Sequence, residues 1–229
     1  MNKLVKRLFE KTVIITSYFD SGLCFEDEIG CGDYVICIDG GYDIACENNI
    51  TPDLLMGDFD SIRGGLPSDT GVMPSDIEII RFRPEKDYTD LELALKKSAE
   101  LNTGNVLILG GIGGRLDHTM ANIQLLSHYA DKFDSLVMKD GRNKCFVLNS
   151  RQKKGTVLPV EQDSYISLFS LSGQCTGVTI SNVKYPLTDH TLSRDFPLGV
   201  SNEFKEKDAA LSVKDGTLLV VISKKQPGL

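Results

Sequence analysis

The sequence has no surplus of positive charge. Its 229 residues carry 25 Lys and Arg against 32 Asp and Glu, a formal net charge of −7. Proteins that bind the phosphate backbone of DNA or RNA have an excess of Lys and Arg on one face, so we expect no nucleic acid partner. A small anionic ligand is still compatible with this balance, because a bound metal ion can reverse the local field.

Long hydrophobic runs are also missing. Runs such as Leu-Leu-Val-Val-Ile at 218–222 are far shorter than the roughly 20 apolar residues that span a bilayer. Glu10 and Lys11 interrupt any hydrophobic region of the N-terminal segment, and no small-residue cleavage site follows, which argues against a secretory signal. None of the six cysteines forms a Cys-x-x-Cys pair, so neither a disulfide framework nor a zinc site is expected. We therefore expect a cytoplasmic protein with no membrane partner.

The residues that are present indicate a globular chain, with 41% hydrophobic and 25% charged residues. Up to about residue 142, short runs rich in Val, Ile and Leu alternate with helical patterns. The predicted strands lie at 12–16, 34–38, 77–82, 106–109 and 135–138, and the predicted helices at about 42–49, 89–101 and 116–130. This alternation predicts an α/β N-terminal domain, residues 1–142, with a mostly parallel sheet covered by helices.

The pattern changes after about residue 142. Short strand-like runs such as Ser-Tyr-Ile-Ser-Leu-Phe-Ser at 164–170 follow one another, separated by Gly, Ser, Asn and Asp, with no helical period. Such a pattern predicts a small all-β sandwich. We assign it to a second domain, residues 143–229, that packs against the first.

Four segments of the first half follow apolar runs, where ligands bind in an open α/β sheet. They are Asp-Gly-Gly at 39–41, Pro-Asp-Leu-Leu-Met-Gly-Asp-Phe-Asp-Ser at 52–61, Glu-Lys-Asp-Tyr-Thr-Asp-Leu-Glu at 85–92 and Gly-Gly-Ile-Gly-Gly-Arg-Leu-Asp-His at 110–118. Each one alone has a plainer explanation as a turn or a helix cap. In particular, Thr89 and Glu92 have the spacing of a capping box.

Together the four segments indicate a nucleotide site. Asp58 and Asp60, two residues apart, would share one side of an extended segment and could hold one hard cation. The glycines at 110–114 open a helix and offer backbone N–H groups to an anion, although they match neither a P-loop nor a G-x-G-x-x-G fingerprint. Clustered carboxylates repel a polyphosphate unless a divalent cation lies between them. The sequence therefore predicts Mg²⁺-dependent chemistry on a nucleotide.

These motifs, in this order, resemble those of the thiamine pyrophosphokinases. The matching elements are D-G-G, P-D-x-x-x-G-D-F-D-S, K-D-x-T-D-x-E and G-G-x-x-G-R-x-D-H, followed by V-K-Y-P-L at 183–187 and G-V-S-N-E-F at 199–204. The resemblance implies an α/β domain followed by a β-sandwich. It also implies Mg²⁺-dependent transfer of pyrophosphate from ATP to the hydroxyl of thiamine, with AMP released. Family members are homodimers with active sites between the N-terminal domain of one subunit and the C-terminal domain of the other.

The resemblance also implies roles for particular residues. The acidic catalytic and metal-binding set is Asp39, Asp58, Asp60 and Asp90. The nucleotide-binding group is Asp87, Thr89, Gly111, Arg115, Asp117 and His118. The thiamine-binding group is Lys86, Tyr185, Ser201 and Asn202. Tyr185 stands where some members carry Trp, and Lys86 where some carry Gln. An aromatic face suits the cationic thiazolium ring, although Tyr185 could also be a half-buried strand residue.

Two other functions are compatible with the same residues. A D-x-D sugar-nucleotide transferase would turn over a sugar nucleotide and would not use ATP with thiamine. A regulator that binds nucleotide or thiamine without turnover would produce no AMP, and its affinity would survive the loss of Asp58 or Asp60.

Overall fold

A computed structural model describes residues 9–19, 22–63, 65, 77–83, 85, 87–149 and 155–225. The first half contains β1 (Thr12–Ile15), β2 (Tyr34–Ile38), α1 (Gly41–Glu47), β3 (Leu54–Gly57), β4 (Glu78–Arg81), α2 (Asp90–Leu101), β5 (Asn105–Leu109), α3 (Leu116–Tyr129) and β6 (Ser135–Lys139). The second half contains β7 (Asn143–Asn149), β8 (Thr156–Leu158), β9 (Ser164–Ser170), β10 (Gln174–Ser181), β11 (Leu187–Ser193), β12 (Gly199–Glu203), β13 (Ala209–Ser212) and β14 (Thr217–Lys224).

The first six strands form a parallel sheet in the order β6-β5-β1-β2-β3-β4. The five strands predicted for this half are confirmed, each with its ends within one residue of the prediction. The pattern did not single out β3, whose apolar run of Leu54, Leu55 and Met56 is only three residues long before Gly57. Its position beside β2 decides where the loop 58–61 lies.

Successive residues of the strands contribute to different hydrophobic clusters, as the two faces of a pleated sheet require. Ile36 packs in one cluster with Leu95 of α2 and Leu126 of α3. Its neighbour Val35 packs in another cluster with Ala45 of α1. The carboxyl ends of β1, β2, β3 and β5 therefore meet at one edge, between elements that pack against opposite faces.

The second half continues the same sheet. β7 turns back antiparallel to β6, and β14, β9 and β12 extend it to ten strands. The turn is stabilised by Asp140, whose carboxylate accepts hydrogen bonds from the backbone N–H groups of Arg142 and Asn143, at 2.7 and 2.6 Å. A four-stranded sheet, β11-β10-β13-β8, packs on this extension through a shared cluster that includes Ile166, Ile180 and Val220.

The β-rich part thus shares a sheet with the α/β part, whereas we expected a sandwich with two sheets of its own. The predicted domain division after residue 142 falls in the β6–β7 turn and stays a prediction. The sequence pattern did not single out β11, which is largely polar and exposed, or the short strands β12 and β13. In the described part of the chain, the structure contains no helix with the length and hydropathy needed to cross a bilayer.

Candidate active site

Asp39, directly after β2, is connected to the loop that follows β3. Its backbone adopts φ +46°, and its Oδ1 accepts a hydrogen bond from the backbone N–H of Phe59 at 3.3 Å. Gly57 makes this approach possible, because a Cβ atom at that position would lie 1.8 Å from Asp39 Oδ1. Gly57 also has φ +151°, a conformation that L side chains rarely adopt. The glycine of the P-D-x-x-x-G-D-F-D-S motif therefore makes room for the aspartate of the D-G-G motif.

The loop 58–61 is held by a hydrogen bond within the loop, by a buried side chain and by a hydrogen bond from Gly40. The Oδ1 of Asp58 accepts a hydrogen bond from the backbone N–H of Asp60 at 3.2 Å. Between them, Phe59 is buried in the cluster that contains Val35. Ser61 Oγ accepts a hydrogen bond from the backbone N–H of Gly40 at 3.1 Å. A buried aromatic anchor thus leaves Asp58 partly exposed and Asp60 exposed at the sheet edge.

The N-terminus of α2 lies at the same edge. Thr89 is the N-cap residue, and its hydroxyl accepts a hydrogen bond from the backbone N–H of Glu92 at 3.2 Å. The capping interpretation of this spacing is confirmed. Asp90 is the first helical residue, where the positive end of the helix dipole stabilises a carboxylate.

The glycine-rich loop after β5 is held by α3. Asn122 Nδ2 donates to the carbonyl of Gly111 at 2.9 Å, and Thr119 Oγ1 accepts from the backbone N–H of Gly113 at 3.0 Å. The ring of Tyr18 lies so close to Gly113 that a Cβ atom there would be 2.9 Å from it. Sequence reasoning missed Tyr18, Thr119 and Asn122. The available signals were the position of Tyr18 just after β1 and the three-residue spacing that places Thr119 and Asn122 on one face of α3.

Arg115 and Asp117 form an exposed bidentate ion pair at the start of α3. The distances are 2.6 Å from Nη2 to Oδ2 and 3.2 Å from Nε to Oδ1. The hydrogen bonds from Arg115 lower the pKa of Asp117, and the same contact raises the pKa of Arg115. Asp117 therefore orients the guanidinium group.

These loops enclose a cavity of about 370 Å³. Six of the predicted site residues line it: Asp39, Thr89, Asp90, Gly111, Arg115 and His118. Among the candidates for metal and nucleotide binding, Asp58, Asp60, Asp87 and Asp117 lie outside its lining. A second cavity of about 610 Å³ adjoins the first, since Ser17 and Tyr18 line both. Residues from three of the four motifs thus line one cavity, whereas Asp58 and Asp60, which we expected to converge with Asp39 and Asp90, do not line it.

The donor set suits a divalent cation. Within the part of the chain that the structure describes, no three Asp, Glu, His or Cys side chains form a cluster that could hold a metal by themselves. Asp39 and Asp90 nevertheless both line the cavity. Mg²⁺ usually binds through one or two carboxylates together with substrate phosphates and water, so two carboxylates beside a phosphate-sized cavity fit it.

The predicted thiamine-binding residues lie elsewhere. Tyr185 follows β10, and Ser201 and Asn202 belong to β12, whereas the described residues that line the 370 Å³ cavity all fall between Thr16 and Asn122. Asn202 contacts the backbone of Tyr185, so the structure brings these two residues together. Lys86 lies outside the described residues.

Two family models match the chain. One, described as the catalytic domain of thiamin pyrophosphokinase, matches residues 25–138. The other, described as the vitamin B1 binding domain of thiamin pyrophosphokinase, matches residues 155–218. Between them they match most of both halves of the chain.

Similar proteins carry the same name. Thiamine pyrophosphokinase of Bacillus subtilis (strain 168) is 28% identical over 191 residues, which cover 82% of this chain and 86% of that protein. The crystal structure of thiamine pyrophosphokinase from Bacillus subtilis aligns with a TM-score of 0.82 at 25% identity, covering 94% of this chain and 100% of the other. The thiamin pyrophosphokinase structure from Geobacillus thermodenitrificans aligns with a TM-score of 0.80 at 27% identity, covering 95% and 100%.

Proposed function

Since this chain belongs to the thiamine pyrophosphokinase family, we propose that its 370 Å³ cavity binds the phosphates of ATP during Mg²⁺-dependent transfer of pyrophosphate to thiamine, with release of AMP. The protein is an enzyme, and its co-substrates are ATP and thiamine. Its fold is the two-domain fold of this family, with a catalytic domain and a β-rich domain.

The observation that carries the proposal is the mixed charge of the cavity lining. Asp39 and Asp90 contribute carboxylates, whereas Arg115 contributes a guanidinium group and Gly111 lies in a loop with exposed backbone. Arg115 can bind phosphate oxygens bidentately, and the carboxylates can bind the cation that accompanies a polyphosphate. A nucleotide with Mg²⁺ satisfies both groups at once.

Asp39 and Asp90 are the residues that we propose to hold Mg²⁺, while Asp58 and Asp60 flank Phe59, whose backbone N–H contacts the Asp39 carboxylate. When bound, the ion supplies charge neutralisation on the phosphate oxygens. The chain's own contribution is positioning. The N–H of Phe59 orients the Asp39 carboxylate, Asp117 orients Arg115, and Thr119 and Asn122 hold the glycine-rich loop. Positioning of this kind supplies much of the catalysis in phosphoryl transfer.

The adjoining 610 Å³ cavity is where we propose that the nucleoside part of ATP lies. Its lining combines aromatic side chains, Phe19 and Phe25, with polar ones such as Ser61 and Arg63. Such a mixture suits a flat base with hydrogen-bonding edges. The two cavities share Ser17 and Tyr18, so one nucleotide can extend across both.

A homodimer with active sites shared between subunits is also a proposal. Leu116 and Met120 are exposed on α3 beside Arg115, and Phe196, Leu198 and Val200 are exposed beside Ser201. Apolar side chains grouped in this way mark surfaces that bind a partner. Because one group lies beside the cavity and the other beside Tyr185, contact between two copies would bring the thiamine-binding residues of one to the cavity of the other.

The cytoplasmic location is proposed on the sequence grounds given above. Fractionation of cells that express the full chain tests it, and recovery of the protein with membranes or in the medium would contradict it.

The test of the function is AMP release from ATP and Mg²⁺, with and without thiamine, with thiamine diphosphate identified by mass. We expect AMP and thiamine diphosphate in equal amounts and only when thiamine is present. Turnover of a sugar nucleotide without use of ATP and thiamine would favour the D-x-D transferase. Saturable binding of thiamine or nucleotide without AMP would favour a regulator.

A further inference from the structure

Tyr185 combines an exposed ring with a backbone that is held on both sides. Its side chain is 60% exposed. Its backbone N–H donates to Asn202 Oδ1 at 2.9 Å, and its carbonyl accepts from Asn202 Nδ2 at 2.7 Å. A single side-chain amide therefore replaces both hydrogen bonds that a neighbouring strand would make to this residue.

An irregularity in β12 explains why the Asn202 side chain, and not a strand backbone, makes these two hydrogen bonds to Tyr185. The register of β12 against β9 shifts between Gly199 and Asn202, and Ser201 adopts φ +59°. The backbone N–H of Ser201 donates to Ser167 Oγ at 3.0 Å instead of to a strand carbonyl. Residues held in the left-handed conformation without being glycine are costly, and they cluster at functional sites.

The segment 183–185 runs antiparallel to the end of β12 and beyond. Val183 pairs with Phe204, and the backbone N–H of Lys184 donates to the carbonyl of Glu203 at 2.9 Å. The next position in this short ladder is Tyr185, opposite Asn202. There the Asn202 amide supplies the donor and the acceptor that continue the ladder.

Asn202 has little capacity left for a ligand. Its Oδ1 also accepts from the backbone N–H of Glu203 at 2.9 Å, so both lone pairs of the oxygen are engaged. The residue is only 9% exposed. Its Oδ1 could accept a hydrogen bond from thiamine only by giving up one of these bonds to the chain itself.

Glu203 holds two lysine side chains beside the segment 183–185. Its carboxylate accepts from Lys184 Nζ at 2.7 Å and from Lys225 Nζ at 2.6 Å. The Lys184 Nζ also lies 5.6 Å from the centroid of the Tyr185 ring. Charged groups thus surround the segment, while the outer part of the ring stays open to solvent.

We propose that Asn202 is a positioning residue that fixes the backbone of Tyr185, so that the Tyr185 ring presents its face to the cationic ring of thiamine without any contact between Asn202 and the substrate. This inference rests on the proposed function only for the identity of the ligand. It departs from the role that the resemblance implies for Asn202, which is direct binding. A preorganised aromatic face binds a cation more tightly than a mobile one, because less freedom is lost on binding.

A double-mutant cycle distinguishes positioning from contact. Asn202→Ala is expected to raise the KM for thiamine about tenfold, the scale of losing one or two hydrogen bonds, with kcat and the KM for ATP little changed. In a Tyr185→Ala background the same substitution is expected to add nothing. Effects that multiply in the double variant would show direct contact. An unchanged KM in Asn202→Ala would also overturn the proposal.

A second measurement does not depend on activity. The chain has no tryptophan, so Tyr185→Trp introduces a sole tryptophan, whose fluorescence can be excited apart from that of the tyrosines. Adding Asn202→Ala is expected to lower its fluorescence anisotropy. Adding Asn202→Asp keeps the acceptor for the Tyr185 N–H but turns a carboxylate oxygen toward the Tyr185 carbonyl, so it should also lower the anisotropy, and it covers the case in which Asn202→Ala does not fold. Equal anisotropy in Tyr185→Trp alone, with Asn202→Ala and with Asn202→Asp would refute the proposal.

Asn182→Gly is the matched control. This residue also donates a side-chain amide to a backbone carbonyl, that of Asp208 at 2.8 Å, and its φ of +59° suits glycine. Added to Tyr185→Trp, Asn182→Gly should leave the anisotropy unchanged. If it lowered the anisotropy as much as Asn202→Ala does, Asn202 would have no special role. If the wild-type enzyme made no AMP with thiamine, the proposed function would fail, while the anisotropy series would still decide whether Asn202 holds Tyr185.

Discussion

At the scale of single residues, Asp39 combines a position in one of the four motifs with a well-defined place in the structure. It lines the cavity, and its carboxylate is held by the N–H of Phe59. Asp39→Asn is expected to reduce kcat at least about 100-fold, the scale of losing one interaction made in the transition state. Asp189→Asn is the control, since Asp189 pairs with Lys214 on the β-rich part. Near-normal kcat in Asp39→Asn, measured by AMP release, would remove Asp39 from the proposed metal site.

Substitution of Gly57 is expected to lower kcat as much as substitution of Asp39, the residue that Gly57 accommodates. In Gly57→Ala, the new Cβ atom would overlap Asp39 Oδ1 and displace the carboxylate. We therefore expect a loss of kcat comparable to that of Asp39→Asn, together with a lower thermal midpoint because of the unfavourable φ. Gly173→Ala, where nothing lies within 4 Å, should change neither. Full activity in Gly57→Ala would show that the position of the Asp39 carboxylate does not matter.

Sequence reasoning singled out candidate residues that line the cavity, but it missed several residues that support them. Thr89 was assigned a cap and a ligand role at once, and the structure shows it as the N-cap and in the cavity lining. Tyr18 and Asn122 were missed, because an aromatic residue after a strand and an amide within a helix have no motif. Their contacts with the glycine-rich loop exist only after β1, β5 and α3 have packed.

At the scale of elements, two substitutions of Thr89 at the start of α2 distinguish its contribution to stability from its contribution to nucleotide binding. Thr89→Ala removes the acceptor for the Glu92 N–H and is expected to lower the free energy of unfolding by about 1 kcal/mol. Thr89→Asn keeps a capping side chain, so it should restore stability but raise the KM for ATP if Thr89 contacts the nucleotide. Denaturant unfolding and kinetics measure the two effects. A KM for ATP that is normal in Thr89→Asn would leave only the capping role.

The end of β12 is expected to respond to acid. The hydrogen bonds from Lys184 and Lys225 lower the pKa of Glu203 from its ordinary value of 4.5 to about 2. Because the folded-state pKa is the lower one, the interaction stabilises the fold above pH 4.5, and this contribution is lost as the pH falls toward 2. Thermal midpoints measured across this range should fall less steeply in Glu203→Gln than in the wild type. If the thermal midpoints of the two proteins fell equally with pH, the pairs of Glu203 with Lys184 and Lys225 would contribute nothing to stability.

Elements with a clear period were the predictable ones. The strands of the parallel sheet are short, apolar and bounded by Gly, Asp or Pro, whereas β11 is mostly exposed and polar. A strand at the edge of a sheet with one solvated side carries few apolar residues, so its sequence resembles a loop. Its pairing with β10 is decided by the fold.

At the scale of the whole molecule, the separation of the cavity from Tyr185 predicts complementation between subunits. Asp39→Asn and Tyr185→Ala chains should each be weakly active alone. If two chains share each site, mixed dimers regain one intact site, and random exchange restores about a quarter of all sites. AMP release measured before and after the chains exchange checks this. No recovery in dimers shown to be mixed would mean that each chain completes its own site.

The sequence by itself determined the class of the protein and the candidate residues for its chemistry. Apolar periodicity and turn residues are local properties, and so are the spacings of the four motifs, so they can be read from the chain without its contacts. Only the tertiary structure decided that the β-rich part continues the first sheet, that Gly57 makes room for Asp39, and that Asn202 holds the backbone of Tyr185. Those outcomes depend on strand pairing and close approach between residues far apart in sequence, which no local pattern encodes.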